Sequence, residues 1–329
     1  MPGAQERVLR RRIGSIQNTK KITRAMELIA ATRVVKAQQA AKDARPYSEH
    51  ITQVISDLAT GGAAFDHPLL RHPESVRKVG IVVLSSDRGL AGAYNSAVIR
   101  AAEREINAAR AESREYALIT VGRKAESYFR FRNYSIDASY SGFSEKPSYE
   151  DAREIAAKVT ELFDHDVDQV DLVYTQFISM GSQNVVVRRF LPLDTSDEAA
   201  EPVETRSGPT AQFEFEPSMA AVLVSLLPRY VESRLFSALL DAAASELSSR
   251  QRAMKAATDN AQELIVKLSR KMNQARQDSI TTEIMEITGG AEALASDRGE
   301  GEDLLLDRLD SDPFPPLMAP HQFATNPEG

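Results

Sequence analysis

The run Ser86-Asp-Arg-Gly-Leu-Ala-Gly-Ala-Tyr-Asn95 comes nearest, in its residue types, to ligand chemistry. Glycines between a strand and a helix let backbone N–H groups converge on a phosphate. Gly89 and Gly92 do not make G-x-G-x-x-G, however, and no G-K-[ST] follows. A tight strand-to-helix turn is the favoured reading, with no direct nucleotide binding. A second run, Asp164-His-Asp-Val-Asp168, resembles the start of a calcium loop. The sixth position of that loop should be Gly and is Gln169; the twelfth should be a bidentate Glu and is Thr175. It reads as a solvated acidic loop. His50, His67, His72, His165 and His321 are scattered, and no H-E-x-x-H pair or G-x-S-x-G elbow occurs. With no Cys, thiolate metal sites, disulfides and Cys nucleophiles are excluded. The catalytic inventory is close to empty, and neither cofactor nor metal is expected.

Charge is the next signal. The 329 residues hold 40 Lys+Arg and 47 Asp+Glu, a net charge of -7. A globally basic nucleic-acid binder is not indicated. The first 45 residues nevertheless set Arg7, Arg10, Arg11, Arg12, Lys20, Lys21, Arg24, Arg33, Lys36, Lys42 and Arg45 against only Glu6, Glu27 and Asp43. Such a run is either a solvated helix face or a surface for an acidic partner. No aromatic residue interleaves it, so nucleobases have nothing to stack on.

These residues must be carried by elements whose period changes along the chain. Over 4–59, Leu9, Ile13, Ile16, Ile22, Met26 and Ile29 keep mostly helical spacing, so a long helix is expected with these residues as its seam. Pro46 is expected to bend or interrupt it, and Gly61-Gly62 to end it. From Val79 to Ser86 the pattern becomes a buried strand. Helices over 96–111, 125–132 and 148–163 alternate with strands over 116–121 and 171–178, and a further strand is expected over 184–193. This predicts a small Rossmann-like α/β domain over 77–195. Residues 194–217 read as a linker. Pro228 is expected to break the helical pattern that returns at Ser218, with a new helix starting beside it. As one helix of ~65 residues, 229–294 would be about 100 Å long. Its seam runs through Leu264, Leu268, Met272, Ala275, Ile280, Ile284 and Ile287. Two long helices that cannot bury their seams alone predict an antiparallel coiled coil, 1–62 against 218–295. Acidic, Pro-containing 296–329 is expected to be a disordered tail, with Leu304-Leu305-Leu306 able to form a helical turn on a partner. MPGAQERVLRRR lacks an apolar stretch behind its charges, so no signal peptide is read, and no apolar run reaches the ~20 residues of a membrane span.

Two segments carry a family resemblance. Arg12-Ile-Gly-Ser-Ile-Gln-Asn-Thr-Lys-Lys-Ile-Thr-Arg-Ala-Met-Glu-Leu-Ile-Ala-Ala31 resembles the N-terminal helix signature of the gamma subunit of F-type ATP synthase. Met254-Lys-Ala-Ala-Thr-Asp-Asn260, together with Asn273-Gln-Ala-Arg-Gln-Asp-Ser-Ile-Thr-Thr-Glu-Ile-Met-Glu-Ile-Thr-Gly-Gly290, resembles its C-terminal signature. Ser86–Gly92 is similar to the family's loop after the first strand. Asp278 departs from the small apolar residue common there, and 296–329 extends beyond the usual family end.

The resemblance implies a non-catalytic central-stalk rotor. In it, a coiled-coil shaft turns inside a hexamer of alpha and beta subunits. The α/β domain forms a foot with the epsilon subunit on the membrane c-ring. Transmembrane proton flow through the ring is thereby coupled to ATP synthesis, with a part in regulating ATPase activity. The implied location is the cytoplasmic side of the cell membrane, held peripherally. The implied partner contacts are Met26, near an acidic helix–turn–helix of beta; Ala91, near the beta lever; and Arg276 with Gln277, on a beta catch loop. The rival reading is a Rossmann-like nucleotide-binding enzyme with helical appendages.

Overall fold

In the computed structural model, residues 2–60, 67–71, 73, 75–193 and 219–296 are described. The expected linker over 194–217, the Gly61-Gly62 stop and all but the first residue of the expected tail lie outside them. Contacts divide the chain into two compact units, Gly14–Ile265 and Met1–Ile13 with Val266–Gly329.

Within the first unit, β1 (Lys78–Leu84), β2 (Glu115–Val121), β3 (Ala138–Tyr140), β4 (Gln169–Phe177) and β5 (Gln183–Leu191) form one sheet in the order β3-β2-β1-β4-β5. All pairings are parallel except β4–β5, a hairpin. Parallel strands covered on both faces need unbroken apolar runs, and Val79–Leu84 supplies one, buried throughout. One face packs on α2 (Tyr94–Ala111) and α3 (Arg123–Phe131) through Val98, Ile106 and Phe129. The other packs on α4 (Tyr149–His165) and on Leu223–Ala242 of α5 (Met219–Ser296), with Ile51 and Ile55 of α1 (Pro2–Thr60). A capping box, Ser148 with Asp151, starts α4.

The fold class is as expected: a mixed α/β body with a parallel-dominated sheet and long terminal helices. Several local expectations need correction. β3 was not anticipated, because three half-buried residues carry no readable period. Pro46 does not interrupt α1, and Pro228 does not break α5; helix is continuous through both. Each proline frees one carbonyl, but Lys42 and Val224, four residues before them, are exposed, so water can satisfy it. Residues after both prolines are anchored in one core, Ile51 and Ile55 in α1, Tyr230 and Val231 in α5.

The expected seam of α1 holds at Ile13, which is buried, and at Leu9, Ile16 and Met26, which are half-buried, but not at Ile22 and Ile29. Ile22 and Ile29 are 61% and 52% exposed, whereas Thr23, Glu27, Ala30, Val34 and Ala37 are buried. These alternate in steps of four and three, the rhythm of a coiled coil. Thr23 Oγ1 lies 2.8 Å from Thr258 Oγ1, Lys20 donates to Gln262 at 2.7 Å, and Val34 and Ala37 pack with Ala244 and Leu247. Numbers fall on one helix as they rise on the other, so within 14–265 the helices pair antiparallel. Leu264, Ile280, Ile284 and Ile287 are likewise exposed, while Leu268, Met272 and Ala275 are half-buried.

Candidate functional site

The first residues after β1, Ser85–Asp87, are held closely by their neighbours. Ser85 donates its N–H to Val121 O at 2.7 Å, and its hydroxyl accepts the N–H of Ala125 at 3.0 Å. This close approach of two strand ends requires Gly122, whose φ is +95° and where a Cβ would stand 2.3 Å from Ser85 O. Ser86 N–H goes to Asn95 Oδ1 at 3.0 Å, and Lys124 N–H to Ser86 O at 3.0 Å. The Asp87 carboxylate accepts from Arg123 N at 3.2 Å, Gly142 N at 2.8 Å and Ser144 N at 3.1 Å. The N–H groups at the start of α3 are therefore spent on Ser85, Ser86 and Asp87.

Arg250 of α5 enters this loop from the side. Buried at 6% exposure, it donates to Glu246 Oε1 at 2.6 Å, to Glu145 Oε1 at 3.0 Å, and to the carbonyls of Arg88 and Gly89 at 3.4 Å each. Glu145 is shared with Arg33 of α1 and faces Arg88 at 3.9 Å. One cluster thus ties α1, α5, the β1 loop and the segment after β3. Burial pushes the Glu246 carboxyl up to about 7, against the pull of Arg250. The Tyr94 hydroxyl, also buried, has no hydrogen-bond partner, and burial raises its pKa well above the usual value.

The other sequence signals are structural. Asp168 accepts from the N–H of Arg77 and Lys78 at 2.7 and 3.1 Å, and Asp166 pairs with Lys78 at 2.6 Å. His67 caps the turn Pro68–Leu70. Among the described residues no cluster of three or more His, Asp or Glu is placed to hold a metal. A groove of about 800 Å³ between α1, α4 and α5, lined by Tyr47, Tyr149, Arg153, Arg229 and Phe236, has its one carboxylate, Glu232, accepting from Tyr149 at 2.9 Å.

The four anticipated contact residues are dispersed. Met26 is half-buried on α1, and Ala91 is buried at 1% exposure, both in the unit 14–265. Arg276 and Gln277 are exposed on α5 in the other unit. The large apolar residue that the β1 loop turns outward is Leu90, 61% exposed at φ +65°. Sequence reading missed Leu90 and the Glu145–Glu246–Arg250 cluster. The available signal was a Glu and an Arg four apart inside Leu239–Arg250, a run otherwise of small and apolar residues after Asp241.

Residues 5–294 match the sequence profile of a family described as ATP synthase. A Frankia casuarinae protein named ATP synthase gamma chain is 49% identical over 297 residues, 89% of this chain and 98% of that one. The ATP synthase gamma chain of a Mycobacterium species is 47% identical over 304 residues, 88% of this chain and 97% of that one. The fold is similar to a chain in a Euglena gracilis mitochondrial ATP synthase OSCP/F1/c-ring structure, with a TM-score of 0.62 and 17% identity over 92% of this chain and 98% of that one. A chain of a Tetrahymena thermophila mitochondrial ATP synthase central stalk/c-ring structure gives a TM-score of 0.55 at 21% identity, over 72% of this chain and 99% of that one. The nucleotide-binding-enzyme reading is not favoured, and by similarity along nearly its whole length the chain belongs to the ATP synthase gamma-chain family.

Proposed function

We propose that this chain is the non-catalytic central-stalk rotor of an F-type ATP synthase, coupling proton flow through a c-ring to ATP synthesis on the beta subunits. The observation that carries the reading is the 49% identity to a gamma chain over 98% of that protein. The outward apolar residues add support. Val8, Ile22, Leu28, Ile29 and Val35 of α1 are each more than half exposed, beside exposed Lys21 and Lys36. A single helix carrying that much uncovered apolar surface wants a surrounding partner, and its cations want an acidic one. Alpha and beta subunits would supply that sleeve around 1–62 and 218–295. Residues 77–195 would form the foot, with epsilon, on the c-ring. The chain would sit peripherally on the cytoplasmic face of the membrane; no described helix is long and apolar enough to cross one.

Met26, Arg276 and Gln277 are assigned to beta contacts. For the β1 loop, exposed Leu90 would meet beta, with Ala91 packed behind it. The test is assembly with alpha and beta subunits. The chain should form a complex with them and raise their ATP hydrolysis, and Arg276→Ala should slow both hydrolysis and synthesis about tenfold by removing a charge-assisted hydrogen bond. Failure to assemble would overturn the rotor reading. Wild-type turnover in Arg276→Ala would overturn the assigned contact alone.

A further inference from the structure

One terminal nitrogen of Arg250, with two N–H, faces three acceptors: Glu246 Oε1 and the carbonyls of Arg88 and Gly89. Glu246 and Glu145 share the guanidinium, and the carbonyls of Arg88 and Gly89 take what remains at 3.4 Å, already long for a hydrogen bond. The charged groups facing Glu246 are Arg250 on its own helix, Glu145 after β3, Arg88 in the loop and, through Glu145, Arg33 of α1. Lys124 of α3 lies against Gly89, and the titratable Tyr94 of α2 feels the charge of Glu246. The Ser144 hydroxyl also favours the charged form of Glu246.

We propose that Glu246 and Arg250 form a proton-operated latch on the Arg88–Ala91 loop. With Glu246 charged, its carboxylate holds Arg250 across the loop and onto the carbonyls of Arg88 and Gly89. With Glu246 neutral, Glu145, which already accepts from Arg250 at 3.0 Å, is the one carboxylate left to it; the guanidinium turns toward Glu145, and the loop that displays Leu90 is released.

The direction follows from linkage. Glu246 is itself 1% exposed, on a stretch of α5 where Ala243, Ala244 and Leu247 are at most 1% exposed, and in the proposed latch it remains buried in both arrangements. Losing Arg250 would remove the cation that favours the charged carboxylate and leave only desolvation. The released form therefore binds a proton more tightly than the latched form, so acid favours release. The unpartnered Tyr94 hydroxyl, buried near the same charge, marks a site whose polar groups are not all satisfied in the latched arrangement. The latch belongs to the chain alone. Only its consequence, a change in how Leu90 is presented, rests on the rotor reading.

Hydrogen exchange of the purified full-length chain between pH 5.5 and 8.5, corrected for intrinsic exchange rates, tests it. Protection of the Tyr94 amide, which donates to Ala91 O at the end of the loop at 3.3 Å, should fall about tenfold as the pH drops through the neutral range, while the β1 amides stay constant. In Glu246→Gln that amide should be weakly protected at every pH. In Glu145→Gln, which removes a like charge, the transition should move to lower pH. A flat wild-type profile, or an unchanged pH dependence in Glu246→Gln, overturns the latch. The wild-type profile decides the matter even where a variant does not fold. Because no ATP turnover is read, a failed latch is distinct from a failed rotor.

Discussion

β1 and the end of α5 carry the same kinds of side chain and treat them oppositely. In β1, Ile81, Val82 and Val83 are fully buried. In α5, Ile280, Ile284, Met285, Ile287 and Leu294 are 45–72% exposed, and every residue of 281–296 is exposed. The sheet is closed on both faces by helices of its own chain. The helix end has no such cover among the described residues. Apolar residues in the body therefore hold the fold, and apolar residues at the end of α5 are available to something outside it. The β1 loop lies between these extremes, with Ala91 packed inward and Leu90 turned out.

Substitutions break this contrast most sharply in the sheet. Phe129→Ala empties a fully buried ring site and should cost about 3–5 kcal/mol, read as a lower denaturant midpoint in equilibrium unfolding. A neutral result would mean that the α2–α3 face is not a packed core. Gly122→Ala forces a Cβ against Ser85 O at an unfavourable φ and should cost roughly 3 kcal/mol, visible as a fall in Tm. Retained Tm would show that the strand ends can separate.

The buried charge sharpens the comparison through pH. Glu246 titrates near 7 in the folded chain, against the usual 4.5. Between those values the folded chain holds a proton that the unfolded chain has lost. Stability should thus fall as pH rises through that window, by on the order of 3 kcal/mol from this group. Glu246→Gln should remove that part of the slope in unfolding curves taken at several pH values. The smallest effect is expected at the helix end. Ile284→Ala should change the stability of the isolated chain by less than about 0.5 kcal/mol. A larger loss would mean that Ile284 is covered by its own chain.

Much of the architecture was legible because it depends on local period. Apolar runs bounded by turn residues located β1, β2 and β4 within about two residues, and the alternation of strand and helix predicted the α/β body. The empty inventory of ligand groups was equally local, since it needs only residue types and spacing. The paired signatures around Met26 and Arg276 identified the family. They did so through resemblance, since half-buried Met26 and exposed Arg276 have no local pattern that marks them as contacts.

What the tertiary structure alone decided is which side of each helix faces inward. In α1, Ile22 and Ile29 turn out, while Thr23, Glu27 and Ala30 turn in. Hydrophobicity along one helix does not choose its partner face. Small side chains such as Ala30, Ala37 and Ala244 let the two backbones approach, and the Thr23–Thr258 pair satisfies its own hydroxyls, so close packing selects that row. The Arg250 cluster is similarly nonlocal: Arg33, Glu145 and Arg250 come from three distant parts of the chain. Their meeting follows from the antiparallel pairing of α1 and α5 beside the sheet, because a buried guanidinium is tolerated only where folding brings enough acceptors to surround it.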